Sequence, residues 1–171
     1  PEEDEEQDLA DILAVVDEAL ARHTEMREKE GAAMEQDLRS RAETILSLVA
    51  DVEARSPRTV AEYRSRLYAK MQEVLAGAQV EESRILTEAA IYADKVAVDE
   101  ETVRLRSHFD QLDRMLTGGG AIGRKLDFLL QEMNRETNTI GSKGSDLQQA
   151  RTVVEIKAEL EKIREQVQNI E

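Results

Sequence analysis

Cysteine is absent from the 171 residues, which excludes disulfides, thiolate nucleophiles and cysteine-zinc sites together. The same absence suits a reducing cytoplasm. No apolar run is long enough to cross a bilayer and 35% of the residues are charged, so a soluble chain with no membrane partner is expected. Proline is limited to two residues, glycine to eight and aromatics to 3%, leaving few breakers and little from which to build strands. What remains is dominated by Ala, Leu, Glu, Gln, Arg and Lys, the residues that lose least on entering a helix. The fold class expected is therefore all-α.

Positive charge is also scarce, with a formal net charge of −14, which argues against a nucleic-acid partner, because neutralising phosphates requires Lys and Arg. Its distribution qualifies that reading. Residues 1–60 hold 17 acids and 7 bases, whereas residues 61–171 hold 20 acids and 16 bases. In the second part Arg104, Arg106, Arg114, Arg124, Lys125 and Arg135 fall close together. Two readings follow: a local basic surface on an acidic protein, or a solvated helix face laced with ion pairs.

Leu9, Leu13, Val16 and Leu20, resumed by Met34, Leu38, Ile45 and Val52, recur at steps that predict a long amphipathic helix. Pro57 is expected to end it. Val60, Leu67, Met71 and Val74 or Leu75 then predict a second helix stopped at Gly77, lying back along the first. Residues 1–77 are thus expected to form a long acidic antiparallel hairpin, serving oligomerisation or acting as a clamp. Residues 78–171 are expected to form a compact bundle of about four shorter helices, near Glu81–Val98, Asp99–Leu116, Gly123–Ile140 and Ser145–Ile170. Asp99 is the expected N-cap of the second of these. The runs Gly118–Gly120 and Gly141–Ser145 are expected to be flexible connections, and neither has the setting of a phosphate-binding loop. A start at Pro1, without an initiator methionine, is expected of a piece of a longer protein.

The segment Gly123–Lys143 is where polar residues exceed what a helix needs. Leu126, Leu129, Leu130, Met133 and Ile140 complete a buried stripe. Asp127, Gln131, Asn134 and Asn138 stack on one face at steps of four, three and four, and Lys125, Glu132 and Glu136 make a second row flanked by Arg124 and Arg135. Carboxylates beside amides are hard oxygen ligands suited to magnesium or manganese, and neighbouring arginines suit phosphate. An exposed face of ordinary i, i+4 pairs accounts for the same pattern. His108 shares a helix face with Glu101, Arg104 and Gln111, so it is a candidate proton shuttle or metal ligand, or an inert histidine at the core margin. His23 is expected to be structural. No Ser-His-Asp spacing and no H-E-x-x-H pair is present.

The run GRKLDFLLQEMNRE at 123–136, followed by NTIGSK at 138–143 and IREQVQNIE at 163–171, resembles the C-terminal domain of the bacterial YicC/YloC family, as does the stretch from Asp99 through Arg104 to His108. The similarity is nearly continuous over residues 81–171 and rests on helical, acidic character before residue 77. Members of that family are described as stress-induced cytoplasmic proteins and metal-dependent endoribonucleases that assemble into hexamers around RNA. They carry a further strand-containing N-terminal domain, and the chain is expected to be the helical part without it. The resemblance implies RNA as partner, a homo-oligomer, no DNA, and a manganese or magnesium ion as cofactor. On the matched positions, residue chemistry places RNA contacts on Arg104, Arg124, Lys125, Asn134, Arg135, Asn138 and Lys143, metal ligands on Asp127, Glu132 and Glu136, and catalysis on His108, Glu101 and Glu132. The function expected is part of a metal-dependent endoribonuclease, the alternative being a non-catalytic RNA-binding or adaptor protein that assembles as an oligomer. A pure interaction scaffold is the third reading.

Overall fold

The computed structural model describes residues 5–75, 81–144 and 146–168. They form five α-helices: α1 (Glu5–Val74), α2 (Glu82–Val96), α3 (Asp99–Gly118), α4 (Gly123–Lys143) and α5 (Leu147–Val167). The all-α expectation is met, and α2–α5 are the four shorter helices read from the sequence. The chain divides into two compact units, residues 1–38 and 39–171, so the expected boundary at 77/78 falls inside the second. Gly77 as a helix stop, Ser145 as a helix start, Ile170 as a helix end and the last residues of the family-like ending lie outside the described residues.

In the first unit, the apolar residues at steps of four and three do not form a core: Leu9, Leu13, Val16 and Leu20 are all about half exposed. What supports the helix locally is a set of i, i+4 contacts, Gln7 with Asp11, Arg22 with Glu18 and Lys29 with Glu25.

In the second unit, the expected hairpin is absent because Pro57 lies inside α1 and does not end it. A proline in a helix interior removes one backbone bond and crowds the carbonyl four residues back, at about 3 kcal/mol. Packing on both sides outweighs that cost. Val52 before the proline and Thr59 after it are buried, and beyond it Tyr63 stacks on Tyr92 of α2 with ring centroids 3.8 Å apart. The chain after Pro57 is thereby held against α2 in helical geometry instead of turning back.

α3, α4 and α5 pack in sequence, α4 against both neighbours. Leu105, Phe109 and Leu112 of α3, Leu126, Leu130, Met133 and Ile140 of α4, and Ile156, Leu160 and Ile163 of α5 are buried to the last few per cent. The stripe expected for α4 is therefore the one observed. Four ion pairs tie the middle of α1 to this bundle. Arg39 pairs with Asp113 and Arg55 with Asp146, Arg41 reaches Glu159 at 2.9 Å, and Arg106 donates from Nε and Nη2 to the two Glu53 carboxylate oxygens at 3.0 and 2.7 Å.

Two local expectations are corrected. Val98, not Asp99, occupies the N-cap of α3 and makes no side-chain cap; Asp99, Glu100 and Glu101 fill the first turn, where the helix dipole favours negative charge. The aspartate that does cap is Asp146, whose carboxylate accepts from the Gln148 amide at the start of α5. The Gly141–Ser145 connection is also shorter than expected, because α4 runs on to Lys143. Its glycines serve proximity. A Cβ on Gly141 would stand 3.1 Å from Val153 Cγ1, and one on Gly144 would stand 2.7 Å from Gln149 Cδ. Gln149 is buried there and its Nε2 donates to the Ile140 carbonyl, satisfying an end group of α4. At the α3–α4 connection Gly119 and Gly120 take positive φ (64° and 85°), as a tight reversal requires.

Replacing Pro57 by Ala restores the missing backbone bond, so P57A should be more stable by about 1–2 kcal/mol: ~3 regained in the helix less ~1 for the lost stiffness of the unfolded chain. The urea midpoint by circular dichroism checks this; an unchanged or lower midpoint would show that α1 depends on the proline.

Candidate functional site

α3 and α4 meet along a seam that begins with charge. Glu101 and Glu136 are buried, their side chains 5% and 9% exposed, and each needs cationic partners to be tolerated there. Lys143 Nζ donates to both Glu101 oxygens at 2.9 and 3.0 Å. Arg104 lies between the two acids, with Nη2 3.1 Å from Glu101, Nε 2.9 Å from Glu136 and Nη1 3.2 Å from Glu100. Burial alone would raise the Glu101 carboxyl, but the Lys143 hydrogen bonds, its own amide and the nearby Arg104 charge outweigh that and hold it below the ordinary value.

Farther along the same seam lies a groove of about 340 Å³ lined by His108, Gln111 and Met115 of α3 and by Arg124, Lys125, Phe128, Leu129 and Glu132 of α4. His108 Nδ1 is buried and has no hydrogen-bond partner among the described residues. A buried imidazole nitrogen without a partner is costly, and a catalytic role is one of the explanations for such a group. Arg124 and Lys125 stand at the groove mouth, Lys125 exposed. Phe128 is 65% exposed although it stands in the middle of a helix whose apolar stripe is already buried.

The opposite flank of α4 makes a second groove, about 480 Å³, against α5, where Gln131, Asn134, Arg135, Asn138 and Arg164 line the wall. Asn138 Oδ1 accepts from Lys157 at 2.9 Å, and Asp127 accepts from Gln131 at 2.9 Å with Arg164 at 3.9 Å.

The structure thus sorts the sequence candidates into three places. His108 and Glu132 share the α3–α4 groove with Arg124 and Lys125. Glu101, Arg104, Glu136 and Lys143 form the charged seam, where Arg104 and Lys143 are occupied by carboxylates, and Glu101 is about 10 Å along α3 from His108, at 1.5 Å per residue. Asn134, Arg135 and Asn138 belong to the α4–α5 side, with Arg135 Nη1 3.8 Å from Glu132. The metal set Asp127, Glu132 and Glu136 does not assemble: along α4 Glu132 and Glu136 stand about 140° and 180° around the axis from Asp127, Asp127 faces Arg164 and Glu136 is taken by Arg104. No group of three His, Asp or Glu side chains suited to a metal ion is present among the described residues. Sequence reasoning passes over Phe128, although its signal is there: it is one of two phenylalanines and the one off the buried stripe.

The five helices of the described residues thus define an all-α domain whose candidate side chains are concentrated along α4 and its two flanks. Residues 52–171 match the model of a family described as "Endoribonuclease YicC-like, C-terminal", and the chain belongs to that family. It is 45% identical over 171 residues to a "Probable endoribonuclease YicC" of Clostridioides difficile (strain 630), covering 99% of this chain and 58% of that protein. It is 34% identical over 173 residues to a "Probable endoribonuclease YicC" of Haemophilus influenzae, covering 99% of this chain and 60% of that protein. The chain spans somewhat under two thirds of the length of these relatives.

Glu101→Gln should destabilise the fold by about 2 kcal/mol at neutral pH, less than the ~3–5 typical of a broken fully buried pair because Lys143 and Arg104 are partly exposed. The folded-state carboxyl is held low, so its contribution is present above the unfolded value and is lost as pH falls through the folded one. The gap between wild type and E101Q in chemical denaturation should therefore be full at pH 7 and close below about pH 4. A gap that widens on acidification would refute the assignment.

Proposed function

We propose that the chain is the helical C-terminal part of a cytoplasmic endoribonuclease and that its α3–α4 groove engages RNA at the bond to be cut. The observation that carries this reading is His108, whose buried Nδ1 has no hydrogen-bond partner among the described residues, in a groove lined also by Arg124, Lys125 and Glu132, in a chain 45% identical to a protein named a probable endoribonuclease. Arg124 and Lys125 supply charge for phosphates and for the charge that develops at phosphorus. His108 accepts the proton of the attacking hydroxyl, or returns one to the leaving ribose oxygen, and Glu132 serves as the second titratable group. Arg135, Asn134 and Asn138 extend the contact along the other flank of α4.

The family expectation of a manganese or magnesium ion is kept for the complete protein. Asp127, Glu132 and Glu136 do not form its ligand set, so no step here runs through an ion. A homo-oligomer is proposed as well, supported by the exposed Leu9, Leu13, Val16 and Leu20 stripe of the first unit, which helix pairing would cover. The dispersal of the carboxylates favours one second reading, in which the same cationic groove holds RNA and this protein does not cut it.

Arg124→Ala with Lys125→Ala should weaken RNA binding and reduce the dependence of log affinity on log salt by about 2, one for each phosphate left without its cation. His108→Gln should bind RNA within about twofold of wild type and cut it on the order of 10²–10⁴ more slowly. Gel assays of the full-length protein on a labelled RNA, with and without chelator, check both. RNA bound normally but never cut by wild type under any metal condition supports the second reading; unaltered binding and salt dependence in the double variant removes the groove from the proposal.

A further inference from the structure

The α4 ridge carries one feature that phosphate binding and proton transfer leave unused. Phe128 is 65% exposed, while Phe109, the other phenylalanine, is 4% exposed in the core. Scattered apolar side chains on a surface are common and need no explanation by themselves. The setting of Phe128 is what distinguishes it. One helical turn before it on the same ridge is Arg124, and two turns after it is Arg135. Lys125, His108 and Glu132 line the groove that Phe128 borders, together with the apolar side chains of Met115 and Leu129. An aromatic face beside apolar walls, set between cations on a helix ridge, matches the two halves of a nucleotide: a flat base that stacks and a phosphate that needs positive charge.

We propose that Phe128 is a stacking platform for an unpaired RNA base and that it makes the groove selective for single-stranded or bulged RNA. The proposal rests on the reading of the α3–α4 groove as an RNA site. In a paired A-form helix the bases are stacked on one another, the major groove is too deep and narrow for side chains to read, and the shallow minor groove offers sugar hydroxyls and base edges but no free base face. A phenyl ring standing on a rigid helix cannot reach a base face there. An unpaired base can swing out and lie on the ring. Its phosphates then fall near Arg124 and Lys125 and its ribose near His108, so the residue that selects the nucleotide also sets which bond meets the imidazole. Stacking is indifferent to base identity, so the selection acts on pairing state and not on sequence.

The sequence contains no tryptophan, so Phe128→Trp places a single indole in the 171-residue chain at the proposed platform. Single-stranded oligoadenylate or oligouridylate should quench its emission, and a fully paired RNA of equal length should not. Phe128→Ala should weaken single-strand binding roughly tenfold, change duplex binding by less than about twofold and leave the thermal midpoint unchanged, while Phe128→Tyr should restore most of the affinity. Equal losses on single strand and duplex, or an unquenched indole while single strands bind at full affinity, overturns the proposal and leaves the RNA site standing. A change in sedimentation with equal losses on both RNAs identifies Phe128 as a contact between copies and overturns it too. If the unaltered chain binds neither RNA, the groove reading itself falls and this proposal with it.

Discussion

The buried pairing of Glu101 with Lys143 and Arg104, and of Arg104 with Glu136, fixes how α3 and α4 lie against each other. A hydrophobic seam alone leaves some freedom of rotation and slip, since leucines and methionines exchange partners at low cost. Two buried carboxylates do not, because a displacement of one helical turn would strand a charge away from water. The consequence is felt at the other end of the seam. With the register set by these charged groups, His108 and Glu132 arrive in one groove, and the cations of the α4 first turn arrive at its mouth. The seam itself is a stability element whose residues carry the charge types of a catalytic site. That double appearance explains why Glu101, Arg104, Glu136 and Lys143 read from sequence alone as candidates for chemistry.

The helices themselves were legible because they are long and regular in their apolar spacing. The stripe from Leu126 to Ile140 required no tertiary information. The misread proline and glycine share one cause, which is that a local signal was overruled by something distant. Pro57 is a strong breaker, but burial of Val52 and Thr59 and the Tyr63–Tyr92 stack act from other parts of the chain. Gly141 reads as a loop residue until Val153 of α5 is placed beside it. Asp99 and Asp146 look alike as caps; which one bonds an amide depends on backbone geometry one residue away.

The candidate site was half legible. Spacing along α4 sorted its polar residues into rows correctly, since a 3.6-residue period is all that this requires. It could not say which row meets α3 and which meets α5, so nothing in it barred a ligand set that joins Asp127 of one row with Glu132 and Glu136 of the other, although they point to different neighbours. Phe128 was invisible for the opposite reason. An aromatic in a helix is assumed to be core, and only its exposure removes it from that class.

The match to the family pattern begins at residue 52, in the interior of α1, where no turn or loop marks a joint. A boundary drawn there by sequence would cut through a continuous rod of hydrogen bonds. It would also discard Ile45 and Val49, both fully buried, and the Arg41 guanidinium that reaches Glu159. The segment matched by the family pattern and the folding segment of this protein are thus of different lengths. Anyone dividing the chain for recombination or for grafting onto another scaffold has to take the longer one, because the positions from Arg39 to Asp51 belong mechanically to a bundle that the family pattern leaves them out of.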